Sequence, residues 1–159
     1  MAKATAVQSI TVDHFLGLTA EPIVDDTIEA ASQTWKKGAP VKYVAGLVTE
    51  IVETDVVGII GVCGHNASGV TSKPVKVVGT IGVVFCAELS AVSTGLHTLA
   101  QADIGTEYGL DKTTDGKWFI DYDDLGAEQT VRIIGNKDPI GTVNGLVYFV
   151  FKNSVTIFN

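Results

Sequence analysis

Short runs of β-branched and aromatic residues, bounded by glycine or polar turns, follow one another from about Gln33 onward. Such runs are typical of β-strands. Apolar and polar positions alternate most clearly over residues 41–47, whereas residues 56–62 are apolar at nearly every position, which predicts a strand covered on both faces. The predicted strands are residues 41–47, 56–63, 75–78, 81–86, 117–121, 130–134, 146–151 and 155–158.

The pattern predicts little other regular structure. Leu96, Leu99 and Ala100 have helical spacing, and Gly105 follows as a stop signal, so residues 93–102 predict one short helix. Residues 152–154 are polar and predict the turn of a C-terminal hairpin.

The first thirty or so residues show no sustained period. The sequence therefore predicts an N-terminal arm over residues 1–32 and a single β-rich domain over residues 33–159. The predicted fold is all-β, a compact β-barrel or sandwich of about eight strands with one short helix and an extended N-terminal arm.

Composition adds an expectation about surface. Hydrophobic residues make up 46% of the 159 residues and charged residues 18%, against the roughly 25% charged residues of typical globular proteins. A low-charge surface of this kind favours contacts between subunits that cover part of it.

The charge balance bears on partners. The sequence has 11 Lys and Arg against 18 Asp and Glu, a formal net charge of -7, and Arg132 is its one arginine. Phosphate backbones and anionic membranes require clustered cations. We therefore expect neither nucleic acid nor a membrane as partner. Residues 1–20 lack the apolar run of a signal peptide, and synthesis in the cytoplasm is expected.

No motif indicates catalysis, a cofactor or a metal site. Phosphate-binding glycine motifs and nucleophile elbows are missing from the sequence. His14, His65 and His97 have no ligand partner at helical spacing, and Cys63 and Cys86 are predicted to be buried free thiols. The expectation is no catalytic residue, no cofactor and no metal.

Two further clusters have competing interpretations. Asp121, Asp123 and Asp124 could bind calcium, but the EF-hand order of ligands is missing, so a solvated loop is favoured. The aromatic residues beside strands could pack in the core, anchor an interface with another subunit, or form a surface on which a ligand stacks. The predicted interface residues are Trp35, Pro40, Tyr43, Tyr108, Trp118 and Tyr122.

The succession of segments resembles a known family. The segments are residues 35–41 (WKKGAPV), 58–62 (GIIGV), 102–110 (ADIGTEYGL), 118–121 (WFID) and 141–150 (GTVNGLVYFV). Their order resembles that of bacteriophage capsid decoration proteins, also called cement or head auxiliary proteins. The resemblance implies a homotrimer on the exterior of an icosahedral capsid, with the major capsid protein as partner, a structural role without catalysis, and an arm that reaches over neighbouring subunits.

Three alternatives stay open. The chain could be another phage structural β-protein, such as a tail-tube or head-completion protein. It could be a trimeric β-barrel enzyme that hydrolyses nucleotides, although the missing phosphate motifs and single arginine count against this. It could also be a β-sandwich binding module whose first residues are a disordered terminus.

Overall fold

The structure is a computed structural model that describes residues 9–17, 20–24 and 26–157. Within these ranges the chain is almost entirely β-structure, which confirms the predicted all-β class, and no helix there is long and apolar enough to cross a bilayer. Two single 3-10 turns, Gln101–Asp103 and Asn153–Val155, interrupt the strands. The strands are β1 (Thr11–Phe15), β2 (Ile23–Val24), β3 (Pro40–Val44), β4 (Leu47–Glu50), β5 (Ile59–Cys63), β6 (Val77–Gly79), β7 (Val83–Ser90), β8 (Glu107–Lys112), β9 (Trp118–Asp121), β10 (Val131–Asn136) and β11 (Leu146–Phe151).

Five strands close into a barrel, in the order β7, β11, β10, β8 and β9. Four of the five pairings are antiparallel, and the barrel closes through a parallel pairing of β7 with β9, at Leu89↔Ile120 and Ser90↔Asp121. Closure leaves no unpaired edge in this part of the molecule. The barrel that the sequence allowed as one of two architectures is therefore present.

The remaining strands form a second sheet in the order β2, β6, β5, β3 and β4. Every residue of β5 is buried, as predicted for an apolar run, although Val57 just before it is exposed. Gly61 makes this packing possible, because a Cβ there would lie 2.1 Å from the carbonyl oxygen of Val78 on β6.

One hydrophobic core contains residues of both sheets. Polar contacts at Glu50 on β4 also join the sheets. Its Oε1 accepts a hydrogen bond from Trp118 Nε1 at 2.8 Å, and its Oε2 accepts one from Lys112 Nζ at 3.1 Å. Both donors lie on barrel strands, so this carboxylate fixes the second sheet against the barrel.

The predicted arm is packed against the body wherever the structure describes it. β1 pairs with β7 from Thr11↔Cys86 to Phe15↔Val83, and β2 pairs with β6. Glu29 is fully buried. These strands have two to five residues, too short to give a period in the sequence. Residues 1–8, 18, 19 and 25 of the predicted arm lie outside the described residues.

The helix predicted over residues 93–102 was wrong in position and length. That segment instead runs beside the loop before β11, with a Thr98↔Val143 bridge and a Leu99 N–H to Thr142 C=O hydrogen bond of 2.9 Å. Leu99 is buried while Leu96 is exposed. Their helical spacing is therefore coincidental, because they lie in an irregular segment from which Leu99 alone of the two points into the core. Helical structure near this segment is limited to the turn at Gln101–Asp103.

The C-terminal hairpin was also wrong. β11 ends at Phe151 as predicted, but residues 152–154 do not reverse the chain, and none of them has a positive φ. Val155 inserts into the core instead, and Thr156 forms a parallel bridge with Ile59 of the second sheet. Phe158, the last residue of the predicted strand, lies outside the described residues.

Candidate assembly surface

Two features of different chemistry lie at opposite ends of strand β7. The strand has eight residues, so its ends are seven residue steps apart, about 23 Å at roughly 3.3 Å per step. We call the feature at Val83 the apolar groove and the feature beyond Ser90 the acidic cleft. The apolar groove is lined by Leu16, Ile81, Val83, Val150 and Phe151, with Thr80, Gly82, Asn153 and Thr156. The acidic cleft is lined by Glu53, Asp111, Asp121, Asp123, Asp124 and Glu128, with Thr54, Val92, Ser93 and Leu110.

The apolar groove has a volume of about 280 Å³, and none of its described lining residues is charged. Leu16 and Ile81 stand at its rim and are each 54% exposed. The Leu16 N–H donates to the Gly82 carbonyl at 2.6 Å, which holds the end of β1 against the turn that carries Ile81. The rim is therefore fixed by backbone hydrogen bonding.

Apolar surface continues from the groove toward residues 56–58. Ile157 follows the groove residue Thr156 and is exposed. A Cβ placed on Gly58 would lie 4.0 Å from Ile157 Cγ2, so the loop with the exposed Val57 lies next to it. The groove and these side chains together form one apolar surface.

A buried hydroxyl lies in the apolar groove. Thr80 is 8% exposed, and its Oγ1 has no hydrogen-bond partner among the described residues. Thr49, Thr130 and Asn136 also have such an oxygen, but they do not line the groove. An unsatisfied buried hydroxyl costs about 1–3 kcal/mol.

The acidic cleft differs from the simple solvated loop that the sequence favoured. Asp123 is exposed, whereas Asp111 and Asp121 are half-buried. Burial, and then contact with the Glu53 carboxyl, raises the pKa of Asp111 to about 6. Burial also raises the pKa of Asp121. Hydrogen bonds from Ser93 lower the pKa of Asp123.

Part of the cleft has a structural role. Asp121 Oδ1 accepts the N–H groups of Val92 and Asp123 at 3.2 and 3.0 Å, and Asp123 Oδ2 accepts the N–H of Ser93 at 2.7 Å. These bonds hold the chain that leaves β7 and β9. Among the described residues, no three His, Cys, Asp or Glu side chains are arranged to hold a metal ion.

Four of the six predicted interface residues are buried within the chain itself. They are Trp35, Pro40, Tyr108 and Trp118. Trp35 Nε1 donates to the His65 carbonyl, and the Tyr108 hydroxyl donates to Asp103 Oδ1, each at 3.2 Å. With their polar atoms satisfied internally, these aromatic residues stabilise the fold and present no surface to another subunit.

Tyr43 and Tyr122 are partly exposed, but they do not line the apolar groove. The Tyr122 ring stacks on His97 with centroids 3.7 Å apart, and His97 Nε2 lies 2.9 Å from the buried Asp103 Oδ2. This cluster ties the segment before the first 3-10 turn to the barrel. Sequence reasoning missed the groove because its rim residues are isolated apolar positions in turns and at strand ends.

The cysteines match their prediction. Cys63 and Cys86 are buried free thiols, and burial raises the pKa of both. His65 takes part in local backbone hydrogen bonding, because its Nε2 accepts the Lys76 N–H at 3.1 Å. These groups therefore support the fold.

The uncharged apolar groove and the acidic cleft give the molecule two chemically distinct ends. A contact with another protein is favoured where apolar surface is exposed without charge, since no ion then loses water. No known protein family matches the sequence, and no curated protein sequence is significantly similar to it.

Proposed function

We propose that this protein is a structural component of a bacteriophage virion. It binds the outer surface of an icosahedral capsid as a homotrimer and stabilises contacts between major capsid subunits. The proposal is supported by the exposed apolar surface described above and by the resemblance of its segments to capsid decoration proteins.

The observation that carries the proposal is the spread of exposed apolar side chains. Fourteen large hydrophobic residues are exposed among the described residues. Leu16 and Ile81 lie at one end of the barrel, while Leu96 and Val143 lie near the other. Apolar surface on several sides suits a building block that touches more than one neighbour.

The proposed role requires binding to the capsid and no catalysed reaction. A protein that bridges neighbouring capsid subunits stabilises the lattice because it must be released before those subunits separate. Linked contacts from three subunits of a trimer add avidity even when each contact is weak. A closed barrel with a single core supplies the rigid spacer that such bridging needs.

The test combines a mass measurement with a binding assay. Light scattering should give the mass of a trimer, and the trimer should sediment with expanded, undecorated capsids until a stoichiometry fixed by the lattice is reached. A protein that stays in the supernatant contradicts capsid binding, and a hexameric mass would favour a tail-tube protein instead.

A further inference from the structure

We propose that the apolar groove and its rim form the contact between copies of this chain. The inference deepens the proposed function and rests on the self-association that it includes. It assigns that contact to the barrel end that carries Leu16, Thr80 and Ile81, and it leaves the acidic end facing away from neighbouring copies.

The first argument is electrostatic. Each copy carries a formal charge of -7, so two copies repel one another unless they meet where neither presents carboxylates. The acidic cleft excludes its own end of the barrel from such a contact. The apolar groove lies at the opposite end of β7, and its described lining has no charge.

Two other grooves of the described residues carry several charged side chains and fit a second copy less well. The one between β1 and the second sheet is lined by Glu21, Lys37 and Lys76. Another, beside the apolar groove, is lined by Glu107, Arg132 and Lys152. Covering either groove removes water from ions, whereas the described lining of the apolar groove itself contains no ion. The uncharged face is therefore best matched by a copy of itself.

The second argument is the shape and content of the rim. Leu16 and Ile81 line the groove, Ile157 follows the lining residue Thr156, and all three are about half exposed, so each still has apolar surface to bury against a neighbouring copy. In a ring of three copies, the face nearest the symmetry axis meets the corresponding faces of both neighbours. Apolar residues at that position gain most from burial.

The experiment compares Ile81→Lys with Ile140→Lys in the full chain. Ile81 is 54% exposed and Ile140 is 51% exposed, but Ile140 lies in the loop before β11, at the end of the barrel away from the groove. Both variants lower the net negative charge equally, so general repulsion between copies is matched. Ile81→Lys should weaken association at least about hundredfold, because it buries an unpaired ammonium in the contact.

Light scattering over a concentration series is the readout, with circular dichroism to show that each variant is folded. Wild type and Ile140→Lys should form trimers where Ile81→Lys is monomeric. If Ile81→Lys does not fold, Leu16→Lys at the same exposure takes its place.

The outcomes separate the inference from the proposed function. A trimer of Ile81→Lys as stable as wild type overturns the inference, and a monomeric wild type overturns it too. A monomeric wild type also contradicts the homotrimer of the proposed function, and in both cases capsid sedimentation still tests its capsid binding. A third outcome is a wild-type trimer that does not sediment with capsids and that Ile81→Lys converts to monomer. That outcome supports the groove contact and overturns the capsid role.

Discussion

Glu29 lies within the predicted extended N-terminal arm, yet its environment is that of a core residue. It is fully buried, and its carboxylate accepts the Ser68 N–H at 2.9 Å, the Ser68 hydroxyl at 2.8 Å and the Gly69 N–H at 2.6 Å. Its backbone N–H donates to the Lys73 carbonyl at 2.8 Å. One side chain therefore anchors the loop between β5 and β6 to the segment after β2.

Glu29→Gln should destabilise the protein by about 2–4 kcal/mol at pH 7, because an amide cannot accept all three hydrogen bonds and brings two donors into a buried site. Burial alone would raise the pKa of Glu29, but the bonds from Ser68 and Gly69 outweigh it and lower that pKa below 4.5. The carboxylate's contribution is thus complete above pH 4.5 and is lost as the pH falls through the lower folded-state pKa.

Urea unfolding from pH 7 to pH 3 measures both effects. Glu29→Gln should show a smaller loss of stability on acidification than wild type. Glu21→Gln is the control, because Glu21 forms a more exposed ion pair with Lys76 at 2.5 Å and should cost less than about 1 kcal/mol. Equal unfolding midpoints for the two variants at pH 7 would contradict the anchoring role.

At the scale of elements, strands with strong β-branched runs were predictable and tight turns were not. Residues 41–47 predicted one strand, but the structure has a hairpin in which Ala45 and Gly46 have φ values of 50° and 80°. Two positive φ values are the requirement of a type I′ turn, which Asn-Gly usually signals. Alanine at the first position hid the turn, because its side chain tolerates that conformation only at a cost.

β8 and β1 were not predicted, because neither strand has a β pattern that can be recognised locally in the sequence. β8 contains Glu107, Asp111 and Lys112, so its composition is polar although Tyr108 and Leu110 are buried. β1 gains its order by pairing with β7, a partner far along the chain. Pairing at long range overrides local preference, and a single sequence does not reveal it.

Deleting residues 1–17 should lower stability by about 4 kcal/mol or more, because Ile10 leaves the core and β7 loses a neighbour along Val83–Cys86. Deleting residues 1–8 is the matched control, since every described contact of β1 is kept. Thermal unfolding of the two truncations checks the prediction. Equal melting temperatures would show that β1 behaves as the arm the sequence predicted.

For the whole molecule, the barrel was predictable in outline and its closure was not. The run over residues 56–62, apolar at nearly every position, indicated a strand covered on both faces, as β5 is. β7 is also buried along its length, although it contains Glu88 and Ser90 and was not predicted to be covered on both faces. The parallel pairing of β7 with β9 joins strands separated by β8 and a loop, and no local pattern encodes it. The groove was equally hidden, because its lining residues Leu16, Ile81 and Phe151 come together only after the sheets have formed.

Carboxyl groups are concentrated in the acidic cleft, and there the stability of the molecule depends on pH in the opposite direction to the contribution of Glu29. The pKa of Asp111 is raised from 3.8 to about 6, so its contribution to stability is complete below pH 3.8 and is lost as the pH rises through about 6. Asp111→Asn should therefore raise the urea midpoint at pH 7.5 and change it little at pH 4.

Asp123→Asn is the matched control within the acidic cleft. The pKa of Asp123 is lowered by its hydrogen bonds with Ser93, so its carboxylate stabilises the fold above pH 3.8. Its replacement should lower the urea midpoint at pH 7.5. If both variants shift the midpoint in the same direction, net charge rather than the local environment governs the cleft.

The central position of β7 also bears on the order in which the protein becomes structured during synthesis. β7 pairs with β1, β9 and β11, so residues 11–15 leave the ribosome long before residues 83–86 exist to receive them. The barrel cannot close until residue 151 has been made. Folding is therefore late and depends on distant contacts, which slows it and leaves apolar strands exposed to chaperones until translation has passed β11.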